Sequence, residues 1–113
     1  MRYKIILVPF PFDDLRSTKV RPAVCLSEQI SSYNHVVIAF ITSQIQRANE
    51  DSDLYILNSD PDFAGTGLMR SSAIRLHRLV TIPIDLIRRE LGVLPDAYHS
   101  HLKTKLKSLF DLE

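Results

Sequence analysis

The sequence predicts an α+β fold that is mainly β: a small, strongly curved antiparallel sheet with a C-terminal helix packed on it. Three observations predict it. Short apolar segments rich in β-branched residues fill the first three quarters of the chain, polar breaks separate them, and helical spacing begins only after Pro83. The 113 residues are 45% hydrophobic and 24% charged, which suits one domain over residues 1–113. A chain of this size buries roughly 65% of its unfolded surface without staples.

Residues 5–10 and 20–26 read as strands joined by the polar segment 13–19. In Pro9-Phe10-Pro11-Phe12 the prolines share one face of an extended chain and the phenylalanines the other. Proline cannot donate to a ladder, so this strand end belongs at a sheet edge or where pairing stops. Residues 35–42 are apolar on both faces, as a central covered strand requires. Residues 53–57 form a short strand, and 63–67, holding two of the three glycines, a turn that needs unusual φ values. Residues 72–82 supply one or two more strands. Pro83 then opens a helix closed by Gly92, with Ile84, Ile87 and Leu91 on one face. Asp96 caps a longer one, with Tyr98, Leu102, Leu106 and Leu109 on its stripe.

The formal charge is +1, too small for a nucleic-acid binder relying on bulk attraction but compatible with a local basic patch. The charge is uneven. Residues 16–47 carry +3, residues 63–89 carry +4, and residues 50–62 carry −5, read as a solvated loop beside a basic cleft. The longest apolar runs, 5–12 and 36–41, fall far short of the ~20 residues that span a bilayer. The N-terminus lacks the pattern of a signal peptide and reads as a cytoplasmic start; no membrane association is expected.

Several chemistries are disfavoured. A single cysteine, Cys25, excludes a disulfide framework and a multi-thiolate zinc site, and inside an apolar strand it reads as a buried thiol. His99 and His101 sit two apart on a helix and point away from each other, so no metal pair forms. Gly65 and Gly67 precede no lysine, so no phosphate-cradling loop is present. No cofactor is expected. The remaining set is Arg21, Thr42, Arg75 and His77: Arg21 starts a strand before Pro22, Thr42 ends the buried strand, and Arg75 and His77 share strand parity. Each alone has an ordinary structural explanation, and spacing does not fix a site.

The run Ile6-Leu7-Val8-Pro9-Phe10-Pro11-Phe12-Asp13-Asp14-Leu15, followed by Lys19-Val20-Arg21-Pro22-Ala23-Val24, resembles the opening of the MazF/PemK-like toxins of type II toxin–antitoxin systems. Ala39-Phe40-Ile41-Thr42-Ser43-Gln44, Gly67-Leu68 before Ser72-Ala73-Ile74-Arg75, and Val80-Thr81-Ile82 extend the resemblance over residues 5–92. It implies a small SH3-like antiparallel barrel with a C-terminal helix, a homodimer, endoribonuclease activity on single-stranded mRNA without a metal, and a cognate antitoxin whose disordered tail fills the substrate groove. The family's catalytic arginine falls on Arg21, its catalytic threonine or serine on Thr42, and a second functional arginine on Arg75. Arg16, Lys19, Ser43 and Gln44 are expected beside them as substrate-binding residues. Two departures stand out. Tyr3-Lys4 replaces the Gly-Asp pair that commonly opens the first strand, and His77 occupies a slot where several relatives carry an acid.

RNA brings its own nucleophile, the 2′-OH, and its attack gives a 2′,3′-cyclic phosphate and a 5′-OH. The protein need only align the phosphate, move two protons and stabilise added charge. A guanidinium clamps a phosphate through two parallel hydrogen bonds, and a hydroxyl donates to a non-bridging oxygen. Arg21 is therefore expected to clamp and donate, Thr42 to stabilise the oxyanion, and His77 to act as acid or base, histidine ordinarily titrating near neutrality. A non-catalytic binder of the same fold, such as a gyrase-poisoning CcdB-like toxin, is the alternative; RNA cleavage lost in an Arg21/Thr42 double variant separates the two. A strand ending in prolines at a sheet edge, and the lack of an aromatic stacking platform, both suggest that one subunit offers only part of an RNA groove.

Overall fold

The computed structural model describes residues 1–10 and 19–112, apart from the side chain of Ser31, and among them six antiparallel strands form one sheet. They are β1 (Lys4–Pro9), β2 (Val20–Cys25), β3 (His35–Thr42), β4 (Asp53–Ile56), β5 (Ser72–Pro83) and β6 (Arg89–Val93), followed by one helix, α1 (His99–Leu109). The sheet order is β4-β5-β3-β2-β1-β6, a curled half-barrel with β4 and β6 at its edges. The mainly β class with a terminal helix is as the sequence predicts.

Alternation along the strands divides the apolar residues between two cores, one on each side of the sheet. Ile5, Val24, Ala39, Ile41, Ile74 and Leu76 face α1, which contributes Leu102. Ile6, Val8, Ala23, Cys25, Val36, Ile38 and Ile82 face the other way, with Ile84, Leu86 and Ile87 packed over them. Each isoleucine taken wholly out of water contributes about 1.5–3 kcal/mol relative to leaving it exposed. The double coverage explains why β3 is apolar on both faces. Cys25 is buried, and burial pushes its thiol up to about 11.

A break in alternation bends β5. The register passes from Phe40↔Arg75 to Ala39↔Leu79, so residues 76–78 bulge out between paired positions. Its first part pairs with β4 as well, Asp53 standing opposite Arg75. Bulges of this kind bend a strand and re-aim its side chains.

Residues 84–92 do not form the expected helix. A single 3₁₀ turn, Ile84–Leu86, leads into β6, which pairs with β1. The pairing decides the outcome: Arg88 N–H donates to the Leu7 carbonyl and Leu94 N–H to that of Tyr3, whereas a nine-residue helix is marginal in water. Gly92 is needed for packing, since a Cβ there would lie 2.2 Å from the Gly65 carbonyl oxygen. Asp96 does not cap α1 either; it opens a 3₁₀ turn, Asp96–Tyr98, and the helix starts at His99 with no side-chain cap. The apolar stripe fades at Leu109, which is exposed. His99 stacks on Tyr3 with ring centroids 3.5 Å apart, and His101 is exposed.

The proline-ended strand is not an edge. β1 lies between β2 and β6, and Pro9 marks where pairing stops. Pro11 and Phe12 lie outside the described residues, as do residues 13–18 of the expected polar connection. Tyr3, the first of the two residues that depart from the resembled opening, holds φ at +74°, a left-handed conformation that favours glycine. In the 63–67 turn only Gly67 takes a positive φ, at +72°. Among the described residues no helix is long and apolar enough to cross a membrane.

Candidate functional site

The bend of β5 and the ends of β1, β2 and β3 enclose an open hollow of about 830 Å³. Leu7, Pro22, Ile41, Leu68 and Leu91 give it apolar walls. Six arginines line it, namely Arg21, Arg47, Arg70, Arg75, Arg78 and Arg89, and no carboxylate stands among the described lining residues. Such a surface suits a polyanion that also carries flat apolar groups.

Arg21 and Thr42 both line the hollow. The β2–β3 register Ala23↔Phe40, carried on two residues toward the strand ends, sets Arg21 across from Thr42. Pro22 holds the residue before it in extended backbone, which keeps Arg21 at the strand end. The Arg21 guanidinium carbon lies 6.0 Å from the centre of the Phe10 ring, Phe10 meets Phe40 edge-on at 5.3 Å, and Arg78 lies 5.8 Å from the Phe40 ring centre. Phe10 and Phe40 thus supply aromatic surface inside the hollow that the sequence did not suggest. Thr42 Oγ1 accepts the Gln44 N–H at 3.1 Å, which leaves its own proton to donate. Ser43 and Gln44 line the hollow too.

Arg75 also lines the hollow, and its Nε donates to Oδ1 of Asp53 at 2.8 Å. His77 does not belong to the lining. Its Nε2 lies 3.4 Å from Nη2 of Arg75, and its Nδ1 lies 3.4 Å from Ser52 Oγ and 3.9 Å from Asp53 Oδ1. A guanidinium can only donate, so a hydrogen bond between the two would have Nε2 as its acceptor. The shared parity of residues 75 and 77 fails to place both in the hollow because the bulge begins between them. Lys19 is exposed and outside the lining, and Arg16 lies outside the described residues.

The sequence reading missed Arg47, Arg70, Arg78 and Arg89 as wall residues; the local charge tally marked their segments as basic without saying that they converge. In the acidic 50–62 segment Glu50, Asp51 and Asp62 are exposed, as a solvated loop requires, but two acids are partnered. Asp53 is buried in an ion pair with Arg75, and Asp60 accepts the Tyr98 hydroxyl at 2.6 Å. Among the described residues no three His, Cys, Asp or Glu side chains gather in a way that would hold a metal ion.

The sequence profile of the PemK-like, MazF-like toxins of type II toxin–antitoxin systems matches residues 1–110. The chain belongs to this family. Two solved structures share its fold. The toxin MazF-mt6 of Mycobacterium tuberculosis is 20% identical, with a TM-score of 0.74 over 97% of this chain and 98% of that one. A mycobacterial endoribonuclease in complex with its cognate antitoxin is 17% identical, with a TM-score of 0.70 over 100% of this chain and 94% of that one. No curated protein sequence matches the chain. In this PemK/MazF-like toxin the hollow therefore sits on a fold shared with proteins described as toxins and as an endoribonuclease.

Proposed function

We propose that this toxin is an endoribonuclease that cleaves single-stranded mRNA through attack of the RNA's own 2′-OH, without a metal. The observation that carries the reading is the meeting of Arg21 and Thr42 in one arginine-lined hollow. The 2′-oxygen bonds to phosphorus as the P–O5′ bond breaks, leaving a 2′,3′-cyclic phosphate and a 5′-OH. Arg21 clamps the non-bridging oxygens and donates a proton to the leaving 5′-oxygen. Thr42 donates to the oxygen on which charge accumulates. Water takes the 2′-OH proton and returns one to Arg21, which closes the cycle. Arg75, Ser43 and Gln44 bind the substrate, and His77 acts from outside the wall as a neighbour of Arg75.

Residues 1–113 act as one domain in this reading, in the cytoplasm, as a homodimer checked by a cognate antitoxin. Family membership and the neighbour solved with its antitoxin support the antitoxin. The test is purified protein incubated briefly with total RNA in EDTA, with cut sites and end groups mapped. Discrete cuts bearing 5′-OH ends are expected. Arg21→Ala and Thr42→Ala should each slow cleavage about 10²–10³-fold. An Arg21→Ala variant as fast as wild type would overturn the mechanism.

A further inference from the structure

We infer that Asp53 is a positioning residue, an inference that rests on the nuclease reading: its buried carboxylate fixes the guanidinium of Arg75 so that the remaining N–H edge faces the hollow and takes up substrate phosphate. Asp53 lies on the edge strand β4, yet its side chain is 0% exposed. Both oxygens are occupied. Oδ1 accepts Nε of Arg75 at 2.8 Å, and Oδ2 accepts the Glu50 N–H at 3.0 Å. The backbone N–H of Asp53 bonds the Glu50 carbonyl at 3.0 Å, so the 50–53 turn holds the carboxylate from both sides. Asp53 and Arg75 are also direct cross-strand partners.

The choice of Nε matters. A carboxylate seeking the strongest pair with arginine takes a two-pronged grip that includes terminal nitrogens. Here the inner nitrogen is gripped and His77 flanks Nη2 at 3.4 Å, while Nη1 has no hydrogen-bond partner among the described residues. A long side chain with many rotamers is thereby held in one orientation before any ligand arrives, which lowers the cost of binding. Stability alone is a poor reason for the arrangement, because apolar residues of similar volume replace buried ion pairs at little or no loss. The pair draws its acid from the −5 segment that the nuclease reading otherwise leaves unused.

A double-mutant cycle on binding tests this, using a 2′-O-methyl RNA oligonucleotide, which lacks the nucleophile and cannot be cleaved. Asp53→Ala should weaken binding about tenfold when Arg75 is present and less than twofold in an Arg75→Ala background, a coupling typical of residues in contact. Asp53→Asn keeps an acceptor for Nε and should weaken binding about threefold, which serves if the alanine variant does not fold. Circular-dichroism melts fix a temperature at which every variant measured is folded. Penalties that multiply, or Asp53 variants that bind like wild type while Arg75→Ala binds poorly, would overturn the positioning role alone. Wild-type protein that binds the oligonucleotide but leaves unmodified RNA intact would overturn the cleavage reading alone, with the cycle still judging Asp53. Wild-type protein that does not bind would overturn both.

Discussion

Six arginines line the hollow, and one of them, Arg75, meets substrate phosphate as half of an ion pair with Asp53, so it adds little net charge to the salt dependence. The other five, Arg21, Arg47, Arg70, Arg78 and Arg89, are all exposed to solvent. If each neutralises one phosphate, single-strand binding should follow a log–log salt slope of about −0.7 per contact, or about −3.5 in total. Raising salt from about 50 to about 200 mM should then weaken binding about 100-fold. Arg78→Ala should lower affinity and flatten the slope to about −2.8, a loss of about 50-fold over the same range. Fluorescence anisotropy with a labelled 2′-O-methyl oligonucleotide measures both. A wild-type slope shallower than about −1 would mean that the guanidiniums do not engage the backbone together. An unchanged slope in the variant would remove Arg78 from the wall that binds RNA.

Two further outcomes test the fold beneath the site. Gly92→Ala forces a Cβ to within 2.2 Å of the Gly65 carbonyl oxygen and 2.6 Å of the Thr66 carbonyl carbon. It should cost about 3 kcal/mol and lower Tm by roughly 10–15 °C, read by calorimetry. Gly65→Ala meets nothing within 4 Å and serves as the control that should change little. The Tyr98 hydroxyl, donated to Asp60 and reinforced by the Asp62 backbone, holds the Asp60 carboxyl below the usual carboxylate range; burial, then the bond to Asp60, pushes Tyr98 up to about 12. Stability from Asp60 is present above its unfolded pKa near 4 and lost as pH falls through its lower folded value. That from Tyr98 is full below about 10 and lost as pH rises toward about 12. Tyr98→Phe should therefore flatten both limbs of urea midpoint against pH; parallel curves for the two proteins would refute the pairing.

The five strands up to residue 83 were legible because each carries its own signal: β-branched runs bounded by turns, and two-sided apolarity in β3. β6 was not. Most of its residues fit a helical spacing between Pro83 and Gly92, and only the open side of β1, more than eighty positions earlier in the chain (Leu7 faces Arg89), makes extension the better choice. Local pattern cannot register a partner so distant in sequence. Arg21 and Thr42 were legible through the family resemblance, and the register then sets them side by side. His77 shows the limit of parity counting, which assumes an unbroken strand; the 76–78 bulge voids that assumption. Asp53 was hidden for a different reason: a carboxylate in an acidic run looks solvated until the fold supplies the arginine that justifies burying it.

The bulge has a consequence for how such a surface can change over time. Arg75 and Arg78 are three positions apart, so an uninterrupted strand would turn them to opposite sides, yet both line the hollow. Length, rather than residue identity, makes that assignment. Shortening or lengthening this segment by one position would exchange the inward and outward sets at a stroke, a change of lining that no single substitution in the wall makes.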